Sequence, residues 1–195
     1  MKVAINGFGR IGKLVFRAFL EKQTKGVEII AINELGSLES SYHLLKYDSS
    51  HGLLPIKVKK SENSLICNNK KIKFFSEKNP AILPWKKLGI DIVLECSGVF
   101  ASKEKANNHI IAGAKKVIIS APAKNVDATI VQGVNNQILN KKHQVISNGS
   151  CTTNCLAPVA MVLDKNLGME LDIYKKIGSK KIQERADKIL SLIHI

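Results

Sequence analysis

Residues 2–34, KVAINGFGRIGKLVFRAFLEKQTKGVEIIAINE, decide the fold. The apolar run KVAIN (2–6) stops at Gly7-Phe8-Gly9-Arg10-Ile11-Gly12, and Ile11, Leu14, Val15, Ala18 and Phe19 then fall at helical spacing. A second apolar run, VEIIAIN (27–33), closes on Glu34, an acid 22 residues past Gly12. Strand, glycine turn, helix and strand within about 30 residues make one βαβ unit of a parallel sheet.

Three glycines at this spacing are weak evidence alone, and their context strengthens them. Gly7 permits the tight turn, Gly9 lets backbone approach a pyrophosphate, and Gly12 lets the helix pack on the strand. The helix N-terminus offers free N–H groups and the positive end of its dipole to phosphates. Glu34 is placed to accept the two ribose hydroxyls of an adenosine, and its charge repels a 2′-phosphate, so NAD is expected rather than NADP.

Further along, Ser37 to Tyr47 is compatible with a helix, and Ser64 to Ser76 reads as two strands around an Asn68-Asn69 turn. DIVLECSG (91–98) is a strongly apolar strand. Ser102 to Ala112 reads as a helix with Ser102 as N-cap and Gly113 at its end. KVIIS (116–120), TIVQGV (129–134) and QVISN (144–148) read as further strands. The alternation predicts an α/β fold, a doubly wound, Rossmann-type, mostly parallel sheet with ligands beyond the carboxyl ends of its strands.

Composition narrows the function classes. The net charge of +14 comes from 27 Lys and three Arg (Arg10, Arg17, Arg185), with aromatics at 5%. Nucleic-acid readers rely on Arg for base edges and on aromatics for stacking, so a solvated lysine surface with no nucleic-acid partner is expected. No stretch approaches the roughly 18 apolar residues of a membrane span, and MKVAINGFGR lacks the features of a signal peptide. A cytoplasmic chain with no membrane partner is the expectation. Cys67, Cys96, Cys151 and Cys155 lack a disulfide framework, and no second Cys or His pair with ligand spacing accompanies the last two, so free thiols and no metal are expected.

SNGSCTTNCLAPV (147–159) sets Cys151 where strand-like sequence gives way to helix-like sequence. The dipole and unpaired N–H groups of a helix start favour thiolate over thiol, which suits a nucleophile. Cys155, one turn on, reads as a small buried hydrophobe. Pro158 suits only an early or kinked place in a helix.

With INGFGRIG (5–12), LLKYDSSHG (44–52), LECSGVF (94–100), AGAKKVIISAPA (112–123) and SNGSCTTNCLAP (147–158), the chain resembles the phosphorylating, NAD-dependent glyceraldehyde-3-phosphate dehydrogenases over residues 1 to 171. The resemblance implies that Arg10, Ile11, Glu34, Lys78 and Ser120 surround NAD, with Asn6 and Gly7 lining the same groove beside Gly9 and Gly12. It implies Cys151 as nucleophile and Ser150 and Thr152 as substrate contacts. The implied reaction oxidises an aldehyde phosphate through a Cys151 thiohemiacetal, with hydride transfer to NAD and cleavage of the thioester by inorganic phosphate. Glyceraldehyde 3-phosphate is the implied substrate, in glycolysis, and a homotetramer the implied assembly. Glu34 stands where the family commonly has Asp, which also resembles erythrose-4-phosphate dehydrogenase, and Gly149 stands where the family commonly has Ala.

Past Leu171 the pattern changes. The family's catalytic histidine aligns with position 178, which is Gly here, and Ile182, Ala186, Ile189, Leu190 and Ile193 follow helical spacing. The expected organisation is a dinucleotide-binding domain over 1–150, the start of a catalytic domain over 151–171, and a divergent tail over 172–195, with the substrate domain largely absent. His43, His51, His109 and His143 read as surface or loop histidines, and His194 lies on the tail. A truncated, inactive dehydrogenase sequence is therefore expected, with a non-catalytic NAD-binding module as the alternative.

Overall fold

The computed structural model describes residues 1–22 and 24–167. In chain order the elements are β1 (Lys2–Asn6), α1 (Arg10–Lys22), β2 (Glu28–Asn33), α2 (Leu38–Lys46), β3 (Tyr47–Asp48), β4 (Gly52–Leu53), β5 (Val58–Ser61), β6 (Ser64–Cys67) and β7 (Lys70–Phe75). There follow α3 (Trp85–Leu88), β8 (Ile92–Glu95), α4 (Lys103–Ile111), β9 (Lys116–Ile119), β10 (Ala128–Thr129), β11 (Val145–Ser147) and α5 (Cys151–Leu167).

Nine strands form one sheet in the order β10-β11-β9-β8-β1-β2-β7-β6-β5. The strands from β10 to β7 in that order are all parallel neighbours, and β5, β6 and β7 form an antiparallel extension. Strand order runs outward from β1 in both directions, to β2 on one side and to β8, β9 and β11 on the other. The crevice of a doubly wound sheet opens at that reversal, outside the carboxyl ends of the strands.

Alternate residues of β1 serve opposite faces of the sheet. Val3 and Ile5 join Phe16, Leu20, Ile29, Ile32, Leu65 and Ile72 in one buried cluster. Ala4 joins Ala31, Trp85, Ile90, Val93 and Ala112 in another. Burial on both faces is what a parallel sheet requires, and it explains why these strands read as unbroken apolar runs.

Most local expectations match the structure. Ser37 caps α2, its Oγ accepting from Ser40 N at 3.1 Å, and Ser102 caps α4 in the same way through Lys105 N at 3.3 Å. Asn68 and Asn69 take φ of 50° and 63°, the left-handed pair that a two-residue hairpin turn needs, and Asn tolerates it. Two expectations are corrected. TIVQGV is not a strand: pairing stops at Thr129, and the chain turns through Gly133 at φ 83°. There the Asn135 side chain donates to Thr129 O at 3.0 Å and accepts from Val131 N at 2.7 Å, replacing the ladder that this edge lacks. Pro158 lies well inside α5, which runs on to Leu167. The tail from 172 onward, with position 178 and His194, lies outside the described residues.

Candidate functional site

Because β1, β2, β8, β9 and β11 are parallel, the turns after them share one edge of the sheet. The glycine turn follows β1, Glu34 ends β2, Ser97 follows β8, Ser120 follows β9, and Ser150 and Cys151 follow β11. Three strand intervals separate β1 from β11, roughly 14 Å at the usual spacing. An extended ligand laid across this edge therefore meets an acid at one end and a cysteine towards the other.

The glycine turn is built by close contacts. Gly7 has φ 86°, and a Cβ there would meet Ser97 N at 2.4 Å; a Cβ on Gly12 would meet Gly7 O at 2.1 Å. Gly9 is different, with nothing within 4 Å of where its Cβ would be. Two glycines thus fit the turn to strand and helix, and the third leaves open space in front of its backbone. A cavity of about 310 Å³ lies here, lined by Gly7, Gly9, Glu34, Lys78, Ser97 and Phe100 among others.

Glu34 faces that cavity with its carboxylate held by the backbone. Oε2 accepts from Phe8 N at 2.5 Å and Oε1 from Gly36 N at 3.0 Å. A carboxylate offers about four acceptor sites, so two remain for a diol.

Beneath the glycine turn lies a buried polar chain. Asn33 Nδ2 donates to Asn6 Oδ1 at 2.7 Å, and Asn6 Nδ2 donates to Glu95 Oε2 at 2.6 Å. Ser97 N donates to Glu95 Oε1 at 2.7 Å, and the Ser97 hydroxyl donates to the same oxygen. Trp85 Nε1–H can only donate, so His109 Nδ1 accepts it at 3.1 Å and His109 Nε2–H donates to Glu95 Oε2 at 2.9 Å. Glu95 is 1% exposed and His109 0%, so this network belongs to the interior. His109, expected at the surface, is a core residue, because the indole and the carboxylate satisfy both its nitrogens.

The other expected cofactor residues divide. Lys78 lines the cavity, exposed, and Asn6 lines it with its amide committed to Asn33 and Glu95. Arg10 instead turns to the loop after α2, with Nη1 3.6 Å from Asp48 Oδ2 and Nη2 3.3 Å from Ser50 Oγ. Ile11 stands 48% exposed outside the cavity lining. Ser120 donates its N–H to Glu95 O at 3.0 Å at the end of β9. Glu95, Ser97, Asn33 and Glu77 were not singled out from sequence. One signal was available, an acid inside the apolar run DIVLECSG.

At the far end, Ser150 caps α5. Its Oγ accepts from Thr153 N at 3.0 Å and lies 2.9 Å from Thr152 Oγ1 and 2.7 Å from Thr153 Oγ1. Asn154 Nδ2 reaches back to Asn148 O at 2.7 Å and Ser150 O at 2.9 Å, closing the loop on the helix. Gly149, at φ 68°, takes the left-handed conformation that favours glycine. Cys151 is the first residue of α5 and is exposed.

Cys155 is also exposed, which corrects the expectation of burial. With Leu156, Val159 and Val162 it belongs to a helix that the described residues leave largely uncovered. By contrast, burial pushes the thiols of Cys67 and Cys96 up to about 12 and about 11. Of the described histidines, His51 sits against Asp48, His109 against Glu95 and Trp85, His143 against Asn140, and His43 against the Tyr47 ring. No group of three His, Cys, Asp or Glu suited to a metal occurs among the described residues, nor does a helix long and apolar enough to cross a membrane.

Residues 1–103 match the family model described as glyceraldehyde 3-phosphate dehydrogenase, NAD binding domain. The chain is 49% identical over 195 residues to a glyceraldehyde-3-phosphate dehydrogenase of Zymomonas mobilis, covering 100% of this chain and 57% of that one. It is 48% identical over 193 residues to the enzyme of that name from Thermotoga maritima, covering 99% and 57%. It is 51% identical over 170 residues to the one from Xanthobacter flavus, covering 87% and 51%. The chain thus spans little more than half the length of these curated relatives, and two of the three alignments run through the tail.

Proposed function

The chain belongs to the glyceraldehyde 3-phosphate dehydrogenase family through its NAD-binding domain, and on that premise we propose that it is the cofactor-binding and nucleophile-bearing part of an aldehyde phosphate dehydrogenase. NAD is the cofactor of this domain. The observation that carries the reading is the shared carboxyl edge, which sets an open glycine turn and a tethered acid at one end and an exposed cysteine at a helix start three strands away.

The residues present fit the dinucleotide. The empty space before Gly9 admits a pyrophosphate against backbone, the N-terminus of α1 faces it, and the free acceptor sites of Glu34 suit the adenosine ribose. The same carboxylate disfavours a 2′-phosphate. When bound, NAD supplies the two-electron acceptor for aldehyde oxidation. Residues 1–150 form the dinucleotide domain of this proposal, and 151–171 begin the catalytic one.

Cys151 attacks the carbonyl carbon of glyceraldehyde 3-phosphate, forming a C–S bond as the carbonyl oxygen takes a proton. Oxidation of that hemithioacetal leaves a thioester on Sγ. Inorganic phosphate then attacks the thioester carbon, the C–S bond breaks, and the acyl phosphate leaves as the thiolate returns. Ser150 holds the first turn of α5 in place, and Thr152 stands beside it at the mouth. Each stage moves a proton at the substrate oxygen, and a histidine is the usual carrier. None of the four described histidines hydrogen-bonds to Cys151, and we propose that these 195 residues alone bind NAD without sustained turnover.

Calorimetric titration tests the binding half. NAD should bind more tightly than NADP, and Glu34→Ala should weaken NAD binding. Equal affinity for the two nucleotides would remove the role given to Glu34. For the cysteine, acyl transfer from a thioester or acyl phosphate analogue, read by mass spectrometry, should mark Cys151 and vanish in Cys151→Ser. Labelling of another residue would displace it as nucleophile.

A further inference from the structure

Glu34 does not stand alone at the end of β2. Lys13, in the first turn of α1, folds its side chain back so that Nζ donates to Phe8 O and lies 5.2 Å from the Phe8 ring centroid. The backbone N–H of Phe8 donates to Glu34 Oε2. One ammonium and one carboxylate therefore grip the two ends of a single residue in the middle of the glycine turn. Lys13 is half-buried, and burial lowers its pKa while the charge of Glu34 raises it.

This arrangement has two consequences for what the ribose end accepts. With Glu34 present, the lysine charge is balanced locally, and the carboxylate dominates what a ribose 2′ position meets. Without Glu34, the ammonium loses its counter-charge while Phe8 O still holds it on the residue that Glu34 had gripped, behind the lining of the cavity. A lysine so placed is a point-charge partner for phosphate, and a cation near the ribose is what accommodates a 2′-phosphate in dinucleotide folds. Other cations near the turn differ: Arg10 is engaged with Asp48 and Ser50, and Lys78 lines the cavity with no ion pair to Glu34.

We propose that Lys13 is the second specificity-determining residue of the ribose end, paired with Glu34 to favour NAD and able, once Glu34 is removed, to accept the 2′-phosphate of NADP. The proposal rests on the reading of Glu34 as the ribose acceptor. Lys13 is thereby a positioning residue in the native chain and a phosphate ligand in its variant.

Titration of the full chain with NAD and with NADP tests it, using the wild type, Glu34→Ser, Glu34→Ser/Lys13→Met and, as a control at the far end of α1, Glu34→Ser/Lys22→Met. Glu34→Ser should tighten NADP binding about tenfold or more, as loss of a like charge beside a phosphate predicts. Lys13→Met should erase most of that gain, and Lys22→Met should leave it. A wild type that prefers NAD, combined with equal NADP affinity of Glu34→Ser and Glu34→Ser/Lys13→Met, overturns the Lys13 role alone. A wild type that binds both nucleotides alike overturns the Glu34 reading and this proposal with it. If Glu34→Ser fails to fold by circular dichroism, Lys13→Met alone decides: its preference for NAD over NADP should widen about threefold or more, and an unchanged ratio overturns the proposal.

Discussion

The two ends of the ligand edge are made differently. At the glycine turn, side chains that face the cavity rest on a buried network in which the Glu95 carboxylate has four donors, from Asn6, Ser97 twice and His109. At the cysteine, placement comes from local bonds: Ser150 and Asn154 close the loop on α5, and beyond them Leu156, Val159 and Val162 are exposed. The contrast teaches that one site is finished by its own domain. The other is a well-formed helix start whose far surface the described residues leave bare.

The largest blow to the finished end is Glu95→Ala. It strands the Asn6 amide and the His109 Nε2–H, both buried, without their acceptor, while the exposed Ser97 donors turn to water. Each buried donor left without its acceptor costs about 1–3 kcal/mol, and two are left. Urea unfolding should show the midpoint falling accordingly, whereas Glu34→Ala, on the cavity wall, should barely move it. Similar small shifts for both would mean that the network carries little of the domain.

Next in size is the difference among thiols. With their thiols pushed up to about 12 and about 11, Cys67 and Cys96 hold almost no thiolate at neutral pH. Cys151 and Cys155 are exposed, and Cys151 alone begins the helix. Brief iodoacetamide treatment followed by mass spectrometry should label Cys151 first, then Cys155, with Cys96 and Cys67 at least about a hundredfold slower. Cys96 labelled ahead of Cys151 would reverse the comparison between the two ends.

Much of this was legible in the sequence, for physical reasons that differ by place. The βαβ unit showed itself because strand burial on both faces leaves unbroken apolar runs, and because only glycine fits a Cβ-free contact such as Gly12 against Gly7 O at 2.1 Å. The Ser102 cap announced itself through local chemistry. What escaped were features set by partners distant in sequence. His109 is buried because Glu95 and Trp85, 14 and 24 residues away, meet both its nitrogens. Arg10 points away from the glycine turn because Asp48 and Ser50 compete for it. Lys13 carries no signal in the sequence, because its bond to Phe8 O exists only once the glycine turn is folded. Thr129 to Val134 carried strand-forming residues but had a strand to pair with on one side only.

Gly149→Ala tests the cysteine end on a smaller scale. At φ 68° a Cβ would meet nothing closer than Thr153 Cβ at 3.6 Å, so backbone conformation is the whole cost, about 1 kcal/mol. A drop of that size in unfolding free energy, with Cys151 labelling slowed, is expected. No drop would mean that the loop before Cys151 takes a right-handed conformation instead, and that the helix start is less constrained than its bonds indicate.

The smallest expected effect lies at the seam between the two ends. Asp127 precedes β10; its Oδ1 meets Lys103 Nζ of α4 at 2.6 Å, and its Oδ2 accepts from Gln144 N at 2.7 Å and Val145 N at 2.9 Å at the start of β11. It therefore ties the strand that leads to Cys151 to a helix of the cofactor half. Burial raises its pKa, and Lys103 with the two amides outweighs that, so that it titrates at about 2 instead of 3.8. A depressed folded-state value stabilises the fold fully above the unfolded value and loses that contribution as pH falls through the folded one. The stabilisation should thus be complete above about pH 4 and disappear towards pH 2, kept small by solvent screening of the lysine. Asp127→Asn should lower the urea midpoint slightly at pH 7, and the gap from wild type should close as pH is lowered across that window. A gap that stays constant down to pH 2 would assign the loss to the changed hydrogen bonds and not to the charge, and the seam would then be held by geometry alone.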